Sequence, residues 1–184
     1  NDDIVYGDLS AVLLQNLPFL ARYFRTPSLE TALLDNWDKK LEQMALETIN
    51  ENVTQISGVP SWTLVLINKL FEISGKDNLM EIWPNLELYM HGGVSFTPYE
   101  DQYKSVINGP NMSYYETYNA SEGFFAFQNE PEKKDLLLLL NHGIYYEFIP
   151  MNEVHKEQPK TLDLTEVKAG ENYAIVISTN AGLW

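Results

Sequence analysis

M-S-Y-Y-E-T-Y-N-A-S-E-G, residues Met112 to Gly123, changes character halfway along. Its first half, Ser113 to Tyr118, is short and aromatic, the composition of a buried strand. Its second half, Asn119 to Gly123, is small and polar with one carboxylate, Glu122, and predicts a loop. An apolar strand running into a small polar loop is how open parallel sheets present a ligand at the carboxyl ends of their strands. The same pattern occurs upstream, where an apolar stretch from Leu86 to Met90 runs into His91-Gly92-Gly93-Val94-Ser95. Working outward from these two stretches, the expectation is that the loops lie side by side and hold one small molecule.

The elements around them support a parallel arrangement. Val53 to Ser57 reads as a strand, and Pro60 to Ser74 as a helix with proline in its first turn and Gly75 just past its end. Leu86 to Met90 is a strand, Thr97 to Val106 a short helix, and Ser113 to Tyr118 a strand. Strand, helix, strand, helix, strand predicts a right-handed parallel βαβαβ unit. Ahead of it, Asp8 to Ala21 carries Leu9, Val12, Leu13, Leu17 and Leu20 at helical spacing, with Pro18 ending or kinking the helix. Ser28 then caps a helix expected to reach Asn50, with an apolar stripe of Leu33, Trp37, Leu41, Met44, Ala45 and Thr48. Beyond Gly123 the helices stop. Phe124 to Gln128, Leu136 to Leu140, Ile144 to Phe148 and Tyr173 to Thr179 read as strands, with Asn141-His142-Gly143 as a hairpin turn between the second and third. The fold class is therefore α/β: a parallel βαβαβ unit continuing into an antiparallel strand region, flanked by helices. The expected organisation is a single domain over 1–184, with a helical lead-in (1–51), the βαβαβ site unit (52–123) and a β-rich part (124–184).

Composition narrows the partners. At 45% hydrophobic and 12% aromatic residues, the chain can bury a core. It has 12 Lys+Arg against 26 Asp+Glu, a net charge of -14, with arginine only at positions 22 and 25. Counterion release from a phosphate backbone needs a basic patch, so nucleic acid and anionic membrane are excluded as partners. The absence of cysteine excludes disulfide and thiolate chemistry and suits a reducing, cytoplasmic setting. No apolar run approaches the ~20 residues of a membrane helix. The chain starts at Asn1 and stops within the apolar Gly182-Leu183-Trp184, so it reads as a piece of a longer protein.

The candidate chemistry sits in the two loops. Paired glycines, Gly92-Gly93, let a backbone approach a flat ring or a phosphate; they also make an ordinary tight turn. Tyr118 can stack on a heterocycle, and Ser121 can donate to a phosphate oxygen. Glu122 is placed either to hold Mg²⁺ against phosphate or to cap a backbone amide. Glu116 and Glu122 also read as an acid/base pair of the glycosidase kind. His91, His142 and His155 are scattered without metal-ligand spacing. His91 adjoins the glycine pair and is a candidate ligand contact. Neither a G-x-S-x-G elbow nor a phosphate loop ending in G-K-S or G-K-T occurs.

Taken together, these segments resemble the Gretchen Hagen 3 (auxin-responsive) acyl acid amido synthetases, in a form similar to bacterial members, within the adenylate-forming superfamily. The resemblance runs through Gly7-Asp8-Leu9-Ser10, Arg25-Thr26-Pro27, Gly58-Val59-Pro60-Ser61-Trp62, Trp83-Pro84-Asn85, His91-Gly92-Gly93-Val94 and Tyr118-Asn119-Ala120-Ser121-Glu122-Gly123. It continues through Tyr146-Glu147-Phe148-Ile149-Pro150 to Ser178-Thr179-Asn180-Ala181-Gly182-Leu183-Trp184. It implies a central fragment of a large N-terminal adenylating domain. It also implies a ligase that uses ATP and Mg²⁺ to join a small carboxylic acid to an amino acid. By the same resemblance Tyr118, Asn119, Ala120 and Ser121 line the nucleotide, Glu122 and Ser121 are catalytic with Glu122 the Mg²⁺ ligand, and Gly92, Gly93 and Val94 edge the adenine. Pro60, Ser61 and Trp62, with His91, would wall the acid's pocket. The phosphate loop expected upstream of Asn1 and the ribose-binding segment expected after Trp184 are missing, which implies little activity for this stretch alone. A ligand-binding or regulatory module on the same fold is the alternative.

Overall fold

The computed structural model describes residues 9–180. The apolar Gly182-Leu183-Trp184 end therefore lies outside the described residues. The chain divides into two compact units, Asn1–Leu137 and Leu138–Trp184.

In the first unit, three parallel strands carry the architecture: β1 (Gln55–Gly58), β2 (Leu88–Gly92) and β3 (Ser113–Ala120). Helix α4 (Pro60–Ser74) crosses from β1 to β2, and α5 (Glu100–Val106) from β2 to β3. This is the parallel βαβαβ unit expected from the element order. α4 forms because Pro60 is tolerated at its first position and Gly75, at φ 69, takes the left-handed conformation that ends it. It buries Pro60, Leu64, Ile67 and Leu70, a stripe at helical spacing that packs into the core with Leu79, Trp83, Leu86 and Tyr89. Those residues are the main apolar burial of the unit, each contributing roughly 1.5–3 kcal/mol of transfer free energy.

The lead-in departs from the sequence expectation. The helix expected from Ser28 to Asn50 is two: α2 (Leu29–Ala32), capped by Ser28, and α3 (Trp37–Thr48), capped by Asn36, whose side chain accepts from the Lys39 amide at 2.9 Å. The short polar Asp35-Asn36 pair offers the backbone a cap, and a new helix starts there. Glu47 of α3 reaches back to accept from the Ser28 amide and the Thr31 hydroxyl, which pins α2 to α3 and holds the Glu47 carboxyl below the usual carboxylate range. Before them, α1 (Leu9–Gln15) is followed by a 3-10 turn, Phe19–Phe24, after the break at Pro18.

A second departure concerns the end of β3. The expected loop from Asn119 is strand as far as Ala120, because β4 (Gly123–Phe127) folds back antiparallel on it across a two-residue turn, Ser121-Glu122. The register shifts between Tyr118 and Asn119, a bulge that re-aims the end of the hairpin. The stretch expected as a strand from Leu136 to Leu140 shrinks to β5 (Leu137–Leu138), and the five-stranded order is β1-β2-β3-β4-β5.

In the second unit, β6 (Ile144–Pro150) and β7 (Tyr173–Thr179) form an antiparallel ladder from Ile144 opposite Thr179 to Pro150 opposite Tyr173. The Asn141-His142-Gly143 segment therefore does not close the expected hairpin: β6 pairs with a strand more than twenty residues downstream instead of with its neighbour. Phe148 also exchanges backbone hydrogen bonds with Leu162, which adds a bridge to the ladder.

Candidate functional site

The parallel register sets the carboxyl ends of β1, β2 and β3 on one rim of the sheet. Gly58 stands opposite His91, His91 opposite Glu116, and Gly92 opposite Thr117. Under the rim a buried pair of phenols fixes the ends of β1 and α4. Tyr89 donates to the Gly58 carbonyl at 3.0 Å and Tyr103 to the Pro60 carbonyl at 2.8 Å, with the two hydroxyls 3.0 Å apart. Their rings stack with centroids 4.7 Å apart. Burial pushes both phenols upward in pKa, so they remain neutral donors.

The two predicted loops meet at this rim. A side chain at Gly92 would collide with the Thr117 carbonyl oxygen, and its Cβ would stand 2.7 Å from the Thr117 hydroxyl and 3.3 Å from Asn119 Oδ1. Only glycine allows the turn to approach the motif strand so closely. Thr117 Oγ1 donates to the His91 carbonyl at 3.1 Å and lies 3.3 Å from Asn119 Oδ1, which joins the turn to the hairpin. Gly93 follows at φ 81, and a Cβ there would sit 3.3 Å from Val59 Cγ2. Val59, Gly92, Gly93, Thr117 and Asn119 therefore form one contiguous lip. Thr117 and Val59 were not legible as site residues; the signal for Thr117 was a lone hydroxyl two positions before Asn119 on the same strand face.

Gly93 and Val94 are exposed on the turn, as are Asn119, Ser121 and Glu122 on the hairpin. Tyr118 is 42% exposed and leans on Phe125 at a centroid distance of 5.1 Å, so its outer face is open for stacking. Ala120 is half-buried and meets Gly123 across the hairpin. Glu122 lies past the lip: Ala120 is three positions beyond Thr117 along the strand, about 10 Å at the usual rise. Beside Thr117, on the sheet face that carries Met90 and Tyr115, a cavity of about 590 Å³ is lined also by Leu88, Phe124 and Phe127. That volume falls within the range of small-molecule sites.

Other candidates are not brought to the lip. His91 is 3% exposed; its ring stacks on Phe96 at 4.0 Å, and burial lowers its pKa to about 4, so it is a neutral core residue instead of an open ligand contact. Pro60 is buried. Ser61 is exposed on α4, and Trp62 turns to α3, where it meets Trp37 edge-on at 4.9 Å and lines a different cavity of about 310 Å³ with Lys40 and Met44. The strand spacing argues against Glu116 and Glu122 as an acid/base pair. About 13 Å of strand runs from Glu116 to Ala120 before the turn begins, beyond the ~5–10 Å carboxyl separations of glycosidases. Glu116 is half-buried and its carboxyl is raised by that burial. Among the described residues no group of three or more His, Asp or Glu side chains gathers as a metal cage. A single exposed carboxylate such as Glu122 fits Mg²⁺ only in the mode where phosphate oxygens and water complete the shell. No described helix is long and apolar enough to cross a membrane.

A glycine turn locked against a hairpin at the carboxyl ends of parallel strands defines an α/β protein whose two candidate loops share one rim, the place where open parallel sheets take ligands. The comparisons with known proteins give the family. The model described as GH3 family N-terminal domain matches residues 1–112, and the GH3 family central domain matches residues 137–184. The hairpin falls between these two matches. The chain is 25% identical over 170 residues to indole-3-acetic acid-amido synthetase GH3.3 of Arabidopsis thaliana, covering 82% of this chain and 28% of that protein. It is 34% identical over 134 residues to jasmonoyl--L-amino acid synthetase JAR4 of Nicotiana attenuata, covering 68% of this chain and 22% of that one. Among solved structures, the GH3.15 acyl acid amido synthetase shares the fold, with a TM-score of 0.71 at 15% identity over 94% of this chain and 38% of that one. The chain belongs to the GH3 family. It spans about a quarter of the length of these curated relatives.

Proposed function

We propose that this chain is part of the adenylating domain of an ATP-dependent ligase that joins a small carboxylic acid to an amino acid. The observation that carries the reading is the contact of Gly92 with Thr117 and Asn119, which makes one lip from the glycine turn and the Tyr118–Glu122 hairpin. In the first step a carboxylate oxygen of the acid attacks the α-phosphorus of ATP and pyrophosphate leaves. In the second the amino group attacks the acyl carbon, AMP leaves, and the amide forms with loss of one proton. Mg²⁺, when bound with the nucleotide, neutralises charge on the departing pyrophosphate.

The residues of this chain contribute position and polarity to that chemistry. The open face of Tyr118 stacks on the adenine, whose edge lies along the Gly93-Val94 backbone. Ser121 donates to a phosphate oxygen, and Glu122 offers the single carboxylate of a phosphate-completed Mg²⁺ shell. The cavity of about 590 Å³ beside Thr117 seats the acid. The names of the relatives, which act on indole-3-acetic acid and jasmonic-type acids, support a hydrophobic acid and an amino acid as the two partners. The proposed setting is the cytoplasm.

The test is acid-dependent exchange of labelled pyrophosphate into ATP by the full-length protein, screened over aromatic and fatty acids. Exchange is expected with at least one acid, and Glu122→Gln is expected to slow it by about 100-fold, the loss typical of removing one preorganised charge-stabilising group. Exchange that is absent with every acid while nucleotide still binds would favour the ligand-binding module in place of the ligase. Unchanged exchange in Glu122→Gln would remove that carboxylate from the reaction.

A further inference from the structure

His91 ends the last full turn of pleat before Gly92-Gly93-Val94-Ser95, and Phe96 follows those four residues directly. The rings at the two ends of the turn lie on each other, with centroids 4.0 Å apart and planes 18° from parallel. Both are buried, at 3% and 9% exposure. Behind them Tyr114 stacks on Phe96 at 5.4 Å, and Tyr89 meets both rings, His91 at 5.4 Å and Phe96 at 6.0 Å. The main chain of His91 is tied in a different direction, its carbonyl accepting from Thr117 on the motif strand.

We infer that the His91–Phe96 stack is a clasp that closes the Gly92–Ser95 turn, so that His91 positions the nucleotide edge without touching the ligand. The chemistry of the slot supports a stacking role. His91 Nδ1 is buried and has no hydrogen-bond partner among the described residues. A buried polar atom left unpaired is a net cost. The ring therefore contributes through its face and its packing, and aromatic pairs of this geometry add stability beyond the area they bury. A phenylalanine would fill the same slot, keep the stack and leave no orphaned nitrogen. This leads to an unusual expectation for a histidine beside a glycine pair: replacement by phenylalanine should preserve the site, whereas truncation should loosen it.

The inference rests on the nucleotide reading of the lip, so the experiment has one arm that needs nucleotide and one that does not. In full-length protein, amide hydrogen exchange of Gly93, Val94 and Ser95, and of Tyr99, whose amide donates to the Phe96 carbonyl at 2.8 Å, reads the clasp, and the Kd for ATP reads its consequence. His91→Ala is expected to speed exchange of those amides and to weaken ATP binding by about tenfold, equivalent to the ~1.4 kcal/mol of a lost ring pair. His91→Phe is expected to restore both, with a midpoint of unfolding at or above that of the parent. Phe96→Leu should reproduce the His91→Ala exchange pattern if His91→Ala fails to fold. A His91→Phe protein as impaired in ATP binding as His91→Ala would overturn the inference, because the ring nitrogen would then be in use. Unchanged amide protection in His91→Ala and in Phe96→Leu would overturn it too. If the parent protein bound no ATP, the nucleotide reading would fall while the amide arm still decided whether the clasp exists.

Discussion

The two turns of the lip are built in opposite ways. The glycine turn, Gly92 to Ser95, is held at its base by buried rings and by a carbonyl bonded to the neighbouring strand, and its close approach to Thr117 leaves no room for a side chain at Gly92. The hairpin turn, Ser121-Glu122, projects past the sheet with both residues exposed. Two turns that share a rim thus differ in kind: the first is fixed by packing around it, and the second leaves the Ser121 hydroxyl and the Glu122 carboxylate in solvent. Preorganised groups fix geometry at no cost in the reaction, while exposed polar groups carry no folding duty and are open to contact a ligand.

That division predicts that substitutions in the first turn act through the fold and those in the second through chemistry. The largest effect is expected from Gly92→Val. Its side chain meets main-chain oxygen of Thr117, which cannot swing aside, so β2 and β3 must separate. Denaturant unfolding should show a loss of about 3 kcal/mol or more, the upper part of the range for overpacking. A loss confined to ATP binding, with stability intact, would show that the glycine turn acts on ligand and not through the fold.

A smaller effect follows from pH. His91 is held at a pKa of about 4 by burial, below the 6.5 of an exposed imidazole. The folded form therefore binds fewer protons than the unfolded chain between those values. The stability it contributes is fully present above pH 6.5 and is lost as the pH falls towards 4. Across that window the difference between the parent protein and His91→Phe should grow by about 3 kcal/mol in favour of the variant. Parallel pH profiles for the two proteins would show that the ring is not buried as a neutral base. The smallest effect belongs to the hairpin: the unfolding midpoint of Glu122→Gln should match the parent's, even as pyrophosphate exchange falls. A clear shift of that midpoint would mean that Glu122 is a structural cap.

Much of this arrangement was legible in the residues because its signals are local. The Pro60 and Gly75 punctuation delimits α4 at both ends, and alternation of strand and helix is enough to predict the parallel order. The glycine pair and the Tyr118–Glu122 run pointed to the same rim before any geometry was known. What stayed hidden depends on partners distant in sequence. Asn119 and Ala120 look like loop, and they become strand only because β4 returns to pair with them. The helix break before α3 was masked by an apolar stripe that keeps its period across Leu33 to Trp37, while Asn36 acts on the backbone. β6 pairs with β7 in place of its nearer neighbour, a choice made by a long connection that periodicity does not encode. His91 reads as a ligand contact from its glycine neighbours, but the Phe96 ring at the far end of the same turn, backed by Tyr114 of β3, turns it into core.

The proposed function requires one nucleotide to span both turns. Amide hydrogen exchange of the full-length protein, compared with and without ATP and Mg²⁺, tests it residue by residue. Protection is expected at Gly93 and Val94 together with Ser121 and Glu122, all four of which are exposed in the free protein. Protection of only one turn, or of neither under conditions where ATP is bound, would contradict it.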